Sequence, residues 1–270
     1  MHSLLHAMIL ALGLAGPGAA AQPALPQVLP VSPQVRPQLP QARPLLTQVP
    51  PALPQAWEEA GEAALLHLPP QRDTPPPVII MLPDAVQRDA RHERYLEHLL
   101  ASGFAVVVPM SDDVAPDWVL RRVRRDGSLD GRRIGVLGFG AGAAVALGAD
   151  AAGRAMPRAL LYPGCGHLPL PAGPSALLLL HGDADPANPL PACLADARDW
   201  AAGGGRVEHH VLSGVGYAWD LEPLGGFRRA MLPAPGLSHR IPVVPDAEAT
   251  EQAADVVAQF FRGQLDRRGS

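Results

Sequence analysis

The stretch Arg133-Ile-Gly-Val-Leu-Gly138-Phe139-Gly140-Ala141-Gly142-Ala143-Ala-Val-Ala-Leu-Gly148 decides how the chain is organised. Its first half, Ile134 to Phe139, is an apolar run with strand character. Its second half, continuing from Ala141 to Ala151, is a small-residue run that suits a helix. Only the glycines at 138, 140 and 142 separate the two, so the reading is strand, tight turn, helix with no intervening loop. Outward from this unit the same alternation recurs. Strands are expected at Ala63 to Leu68, Val78 to Leu82, Ala105 to Pro109, Ala159 to Tyr162, Ala176 to Leu180 and Val207 to Leu212. Helices are expected at Arg88 to Ala101, Ala115 to Arg125, Pro191 to Ala202 and Asp246 to Leu265, the last with Asp246 as N-cap. Strands alternating with helices predict an α/β fold, a mostly parallel sheet with helices on both faces. In such sheets ligands bind beyond the carboxyl ends of the strands, so the residues just after each strand carry the functional expectation.

The N-terminal part has a different composition. Leu4 to Leu14 is a short apolar run, followed by Gly16-Pro-Gly and by Ala19-Ala20-Ala21, a small-residue site; residues 1–21 read as a signal peptide cleaved after Ala21, although no Lys or Arg precedes the run. The run is too short to span a bilayer, so no transmembrane anchor is expected. Residues 22–55 repeat Pro, Gln and aliphatic residues, which removes backbone donors and leaves no apolar face. They read as a disordered or polyproline-like spacer, with a protein partner as its possible ligand. The folded domain is expected at 56–270, and the protein is expected to be exported, periplasmic or secreted.

All 22 basic residues are Arg, against 26 Asp and Glu. Without lysine there is no Schiff base, no P-loop lysine and no Ser-Lys pair. The net charge of -4 argues against a nucleic-acid surface, and a small-molecule ligand is the natural class of partner.

The turn at Gly138-Phe139-Gly140-Ala141-Gly142 has the context of a G-x-S-x-G nucleophile elbow, in which flanking glycines permit a strained turn that lifts a serine above the sheet. Its middle position is Gly140. On this segment, on Leu161-Tyr-Pro-Gly-Cys-Gly and on His181-Gly-Asp-Ala-Asp-Pro-Ala-Asn-Pro, residues 60 to 265 resemble α/β-hydrolases, and among them the dienelactone hydrolase group. The resemblance implies that Asp185 stands at the acid position, Gly140 at the nucleophile position and Tyr217, in Gly214-Val-Gly-Tyr-Ala-Trp219, at the histidine position. It further implies an oxyanion hole from the Ala141 N–H and the loop after Leu82, here Pro83-Asp84-Ala85. Pro83 has no N–H, and an inward Asp84 carboxylate would repel an oxyanion. Asp84 is otherwise a turn or cap residue. Trp219 is a pocket residue by the same carry-over. With Gly140 small, the pocket is expected to be roomier, and Tyr217 is expected to hydrogen-bond Asp185.

A phenol with an ordinary pKa of about 10 is a poor base at neutral pH. Loss of a triad serine or histidine costs on the order of a million-fold in turnover. A degenerate, non-catalytic binding or scaffolding domain is therefore the first expectation; a carboxylic-ester or lactone hydrolase using Asp185 with Ser213, Cys165 or His239 is the alternative. Cys165 has a competing role, a disulfide with Cys193, which an exported chain with two cysteines favours. Cys165 with His167 is too small a set for a metal, and neither metal nor cofactor is expected. His209 and His210 read as edge histidines, and Arg121-Arg-Val-Arg-Arg as a solvated helix face.

Overall fold

The computed structural model describes residues 53–266 except 60, 71–72, 85–90, 111–115, 150–155, 167, 172, 174 and 222–229. The signal-peptide expectation, nearly all of the spacer and His167 lie outside the described residues. The chain divides near Gln48, and every described residue belongs to the second unit, Val49–Ser270.

Eight strands form one sheet: β1 (Gln55–Glu59), β2 (Glu62–His67), β3 (Pro77–Leu82), β4 (Ala105–Pro109), β5 (Asp130–Phe139), β6 (Arg158–Leu161), β7 (Ala176–Gly182) and β8 (Arg206–Leu212). Their spatial order is β1-β2-β4-β3-β5-β6-β7-β8. β1 and β2 are antiparallel, β2 meets β4 antiparallel, and every pair from β4 to β8 is parallel. Of the five connections between β3 and β8, four carry a helix, α1 (Arg91–Ala101), α2 (Pro116–Arg125), α3 (Ala141–Gly148) and α4 (Leu190–Ala202), while among the described residues β6 reaches β7 without one; α5 (Ala247–Leu265) follows β10 in the chain. Asp246 caps α5 as its spacing predicts, accepting from the Ala249 N–H at 2.9 Å.

The central strands are buried on both faces, so their runs are continuously apolar and successive residues serve different cores. Ile79, Met81, Leu178 and Leu180 pack with α1 and α5 residues such as Tyr95 and Phe261. Val78, Ile80, Leu177 and Leu179 pack on the opposite face with Val119, Ala143 and Trp200. At the C-terminal end of α3, the buried Arg158 sends Nε to the Ala146 carbonyl at 2.9 Å and Nη2 to the Ala149 carbonyl at 2.7 Å. A forked guanidinium satisfies two terminal acceptors at once, which a lysine ammonium could not do in this planar geometry.

Three strands were not foreseen. β1 is short and polar, held through Trp57, whose ring lies beneath Arg122 at 5.2 Å; part of the arginine run thus packs on the sheet edge. β9 (Ala230–Pro233) and β10 (Arg240–Val243) pair as a separate hairpin inside the Pro-rich insertion. Proline in both hides the strand pattern, and a two-stranded edge element tolerates it. Among the described residues no helix is long and apolar enough to cross a membrane.

Candidate functional site

The parallel register brings the carboxyl ends of β3, β5, β6, β7 and β8 to one edge, with Leu82 beside Gly138 and Phe139 beside Leu161. The turn from β5 into α3 has the predicted elbow form. Gly140 adopts φ 48° and ψ -118°, a conformation that favours glycine, and initiates α3. Gly142 completes the geometry differently. A β-carbon there would run into the Pro83 carbonyl oxygen, so its absence lets the loop after β3 lie directly on the elbow.

That close approach delivers Asp84 into the site. Asp84 is 2% exposed, and its carboxylate fills the space above Gly140. A β-carbon built on Gly140 would stand 2.5 Å from Asp84 Cγ and 2.6 Å from the Tyr217 hydroxyl. The expected roomier pocket is therefore not formed: the volume freed by glycine is taken by an acid from one neighbouring strand end and a phenol from another. Asp84 Oδ1 accepts from the Ala141 N–H at 3.1 Å, the same backbone donor that the resemblance assigns to an oxyanion hole. Oδ2 accepts from the Tyr217 hydroxyl at 2.6 Å and from Arg91 Nη1 at 3.3 Å. A buried carboxylate without such donors would be strongly disfavoured, so the three contacts account for its position.

The expected hydrogen bond between Tyr217 and Asp185 is corrected by this geometry, because the single hydroxyl proton goes to Asp84. Burial, then the adjacent Asp84 carboxylate, pushes the Tyr217 phenol far above its ordinary value. It is thus further from acting as a base than an exposed tyrosine. Asp185 is instead satisfied within its own turn. Oδ1 accepts from the Ala187 N–H at 2.8 Å and Oδ2 from Asn188 Nδ2 at 2.7 Å. Asn188 in turn accepts from the Gly164 N–H at 2.9 Å, tying the acid turn to the loop after β6. Burial outweighs these bonds and raises the Asp185 carboxyl to about 6.

Three residues of the network carry no sequence signal that singles them out. Arg91, at the start of α1, reaches both Asp84 and, at 3.4 Å, the Tyr162 hydroxyl. Tyr162, just past β6 at φ 39°, donates to Asp220 Oδ1 at 2.9 Å. Asp220 also accepts from Tyr95 at 2.9 Å, and burial lifts its carboxyl to about 6. The available clue was position: Tyr162 ends a central strand, and Asp220 follows the family-like turn directly. Trp219, fully buried, packs edge-on against Tyr162 at 4.9 Å and lines a cleft of about 190 Å³ between the starts of α1 and α5, together with Arg91 and Asp220.

The displaced-nucleophile candidates are not brought together with Asp185. Ser213 and His239 are exposed. Cys165 is bonded to Cys193, as the cysteine count favours, and carries no thiol. His209 lies on β8, the outermost strand at that end of the sheet, as the edge reading expects, and it also has a partner: its Nε2 stands 2.8 Å from Nε2 of the buried His181. His181 Nδ1 donates to the Gly182 carbonyl at 2.9 Å, which leaves Nε2 to accept and makes His209 the donor. Among the described residues no group of three or more His, Cys, Asp or Glu is placed to hold a metal ion.

No family model matches this chain, and no curated protein does. Solved structures do. An α/β hydrolase enzyme from a Medee basin deep-sea metagenome library is 17% identical with a TM-score of 0.56, over 79% of this chain and 98% of that one. A dienelactone hydrolase described from Klebsiella pneumoniae is 13% identical with a TM-score of 0.56, over 77% of this chain and 98% of its own. A thermophilic esterase from the planctomycete Thermogutta terrifontis is 14% identical with a TM-score of 0.57, over 81% and 95%. At such identities the likeness speaks for architecture, and together with the strand order and the elbow it shows that this chain has the α/β-hydrolase fold.

Proposed function

We propose that this chain is an exported α/β-hydrolase-fold protein that performs no covalent catalysis and serves as a binding or scaffolding domain, with the Pro/Gln-rich spacer at 22–55 as its tether or protein-docking arm. The observation that carries the reading is the Asp84 carboxylate, which occupies the space of a nucleophile side chain above Gly140 and engages the Ala141 N–H. A negatively charged group at that donor opposes the developing oxyanion that acyl transfer requires. The phenol at position 217 supplies no base. Export is supported by the small-residue site at Ala19–Ala21 and by the Cys165–Cys193 disulfide, a bond that persists in oxidising compartments.

The test is p-nitrophenyl acetate hydrolysis together with labelling by a fluorophosphonate probe. Turnover at background and no labelled serine are expected. Stoichiometric label at one serine with matching turnover would overturn the reading. Carboxylic-ester or lactone hydrolysis by a relocated nucleophile is the alternative, since the solved neighbours include an esterase and described hydrolases. It requires activity that disappears in Asp185→Ala.

A further inference from the structure

We propose that the outer edge of β8 is a homodimer interface, across which two copies of this chain pair their β8 strands antiparallel about a two-fold axis at His209 and join their sheets. The inference concerns the end of the sheet and does not rest on the non-catalytic reading of the Gly140 site.

Among the described residues β8 pairs with β7 alone, so one of its sides is open. The backbone bonds say which groups lie there. The Arg206 N–H donates to the Ser175 carbonyl at 3.2 Å, and the Leu212 carbonyl accepts from the Asp183 N–H at 3.0 Å, both toward the β7 side. The register between them is unbroken, so Arg206, Glu208, His210 and Leu212 turn their backbone groups to β7, and Val207, His209 and Val211 turn theirs outward. Backbone N–H and C=O groups are obligatory hydrogen-bonding groups. Here they stand on a seven-residue strand with no proline, no lysine and no bulge, the devices that ordinarily keep an edge single. The opposite edge is guarded: β1 has five residues, among them the exposed Glu58 and Glu59.

A second copy is the occupant that this edge fits, because the strand is complementary to itself. In an antiparallel pair centred on His209, Val207 lies opposite Val211 of the second copy, and His209 opposite its own counterpart. All the outward residues thus fall in positions that exchange both N–H···O bonds. The residues between them fall where facing side chains come closest, and there the Glu208 carboxylate meets the His210 imidazole of the second copy, twice by symmetry. Sliding the pair by two residues would set Glu208 against Glu208 or His210 against His210, so the side chains select the centred register. At the axis His209 adds no repulsion. Burial, then His181, holds it down at about 4, and the ring is neutral at pH 7. The half-buried Val207 and Val211 gain the cover that an edge lacks.

Sedimentation velocity of the full chain over a range of concentrations tests the interface. A species of twice the chain mass is expected to grow with concentration. Val207→Pro removes an outward N–H while sparing the bonds to β7, a substitution that edge strands tolerate, and should abolish the dimer with an unchanged circular dichroism spectrum. Glu208→Arg leaves His210 of the second copy without its acceptor at both symmetric contacts and should weaken association about ten-fold. Glu208→Arg with His210→Glu exchanges the two partners and should restore it. If Val207→Pro fails to fold, the exchange decides alone. A monomer at every concentration, a dimer that a folded Val207→Pro leaves intact, or an exchange that fails to restore association overturns the interface.

Discussion

The Tyr217 hydroxyl donates to Asp84 across 2.6 Å, joining residues 133 positions apart, while Asp185 makes its hydrogen bonds inside its own turn. The three polar residues at the strand ends thus form two separate units instead of one relay.

A double-mutant cycle reads this separation. Tyr217→Phe is expected to cost about 1–3 kcal/mol by leaving a buried acceptor short of a donor. Combined with Asp84→Asn its effect should be strongly non-additive; combined with Asp185→Ala it should add within about 0.5 kcal/mol. Urea unfolding of the single and double variants supplies the numbers. A large coupling between Tyr217 and Asp185 would contradict the geometry.

Restoring the serine alone should fail. Gly140→Ser places a β-carbon against Asp84 and Tyr217 at a backbone φ of 48°. It should destabilise by about 1–3 kcal/mol from strain and overpacking. Gly140→Ser with Tyr217→His remains inactive on p-nitrophenyl acetate, because Asp84 still blocks the position and the Ala141 donor. Turnover is expected only when Asp84→Gly is added. Esterase activity in the double variant would show that Asp84 moves aside readily.

Acid should weaken the histidine pair. Burial first, and then His181 beside it, pushes His209 from 6.5 down to about 4, and burial also lowers His181 and His210. A depressed folded value means that the neutral ring is the stable form. This contribution is present above about 6.5 and is lost as pH falls toward 4. Asp185 and Asp220, raised to about 6, act in the opposite sense: their burial is least costly below the ordinary carboxylate value and becomes more costly as pH rises through 6. His209→Gln keeps a donor for His181 but cannot titrate. Its melting temperature should fall less between pH 6.5 and 4 than that of the unsubstituted chain. Parallel pH profiles would remove His209 from the account.

The disulfide closes a separation of 28 residues and ties the loop after β6 to α4. Replacing both cysteines with serine should lower stability by about 3 kcal/mol, chiefly by freeing the unfolded chain. Denaturation with and without reductant checks this, and an unchanged midpoint would count against it.

Export predicts a mature N-terminus at Gln22. Intact-mass measurement on protein from the periplasmic fraction of a bacterial host tests it, and a full-length cytosolic product would refute it.

The amino-acid order by itself determined the alternation of strands and helices, the glycine turn at Gly140 and the N-cap at Asp246, each of which depends on residues close in sequence. For the two cysteines it left a bridge and a free Cys165 thiol both open, and the tertiary structure decided for the bridge. The strands β1, β9 and β10 escaped because short edge elements rich in charge or proline have no distinctive period. Only the tertiary structure decided which side chain fills the vacancy at Gly140. Asp84, Arg91 and Tyr217 arrive from different strand and helix ends, and their meeting depends on parallel register and on how closely the loop after β3 packs against Gly142. The Cβ-free surface of the elbow permits that approach, and the buried donors then require an acceptor, so Asp84 turns inward instead of capping a turn at the surface.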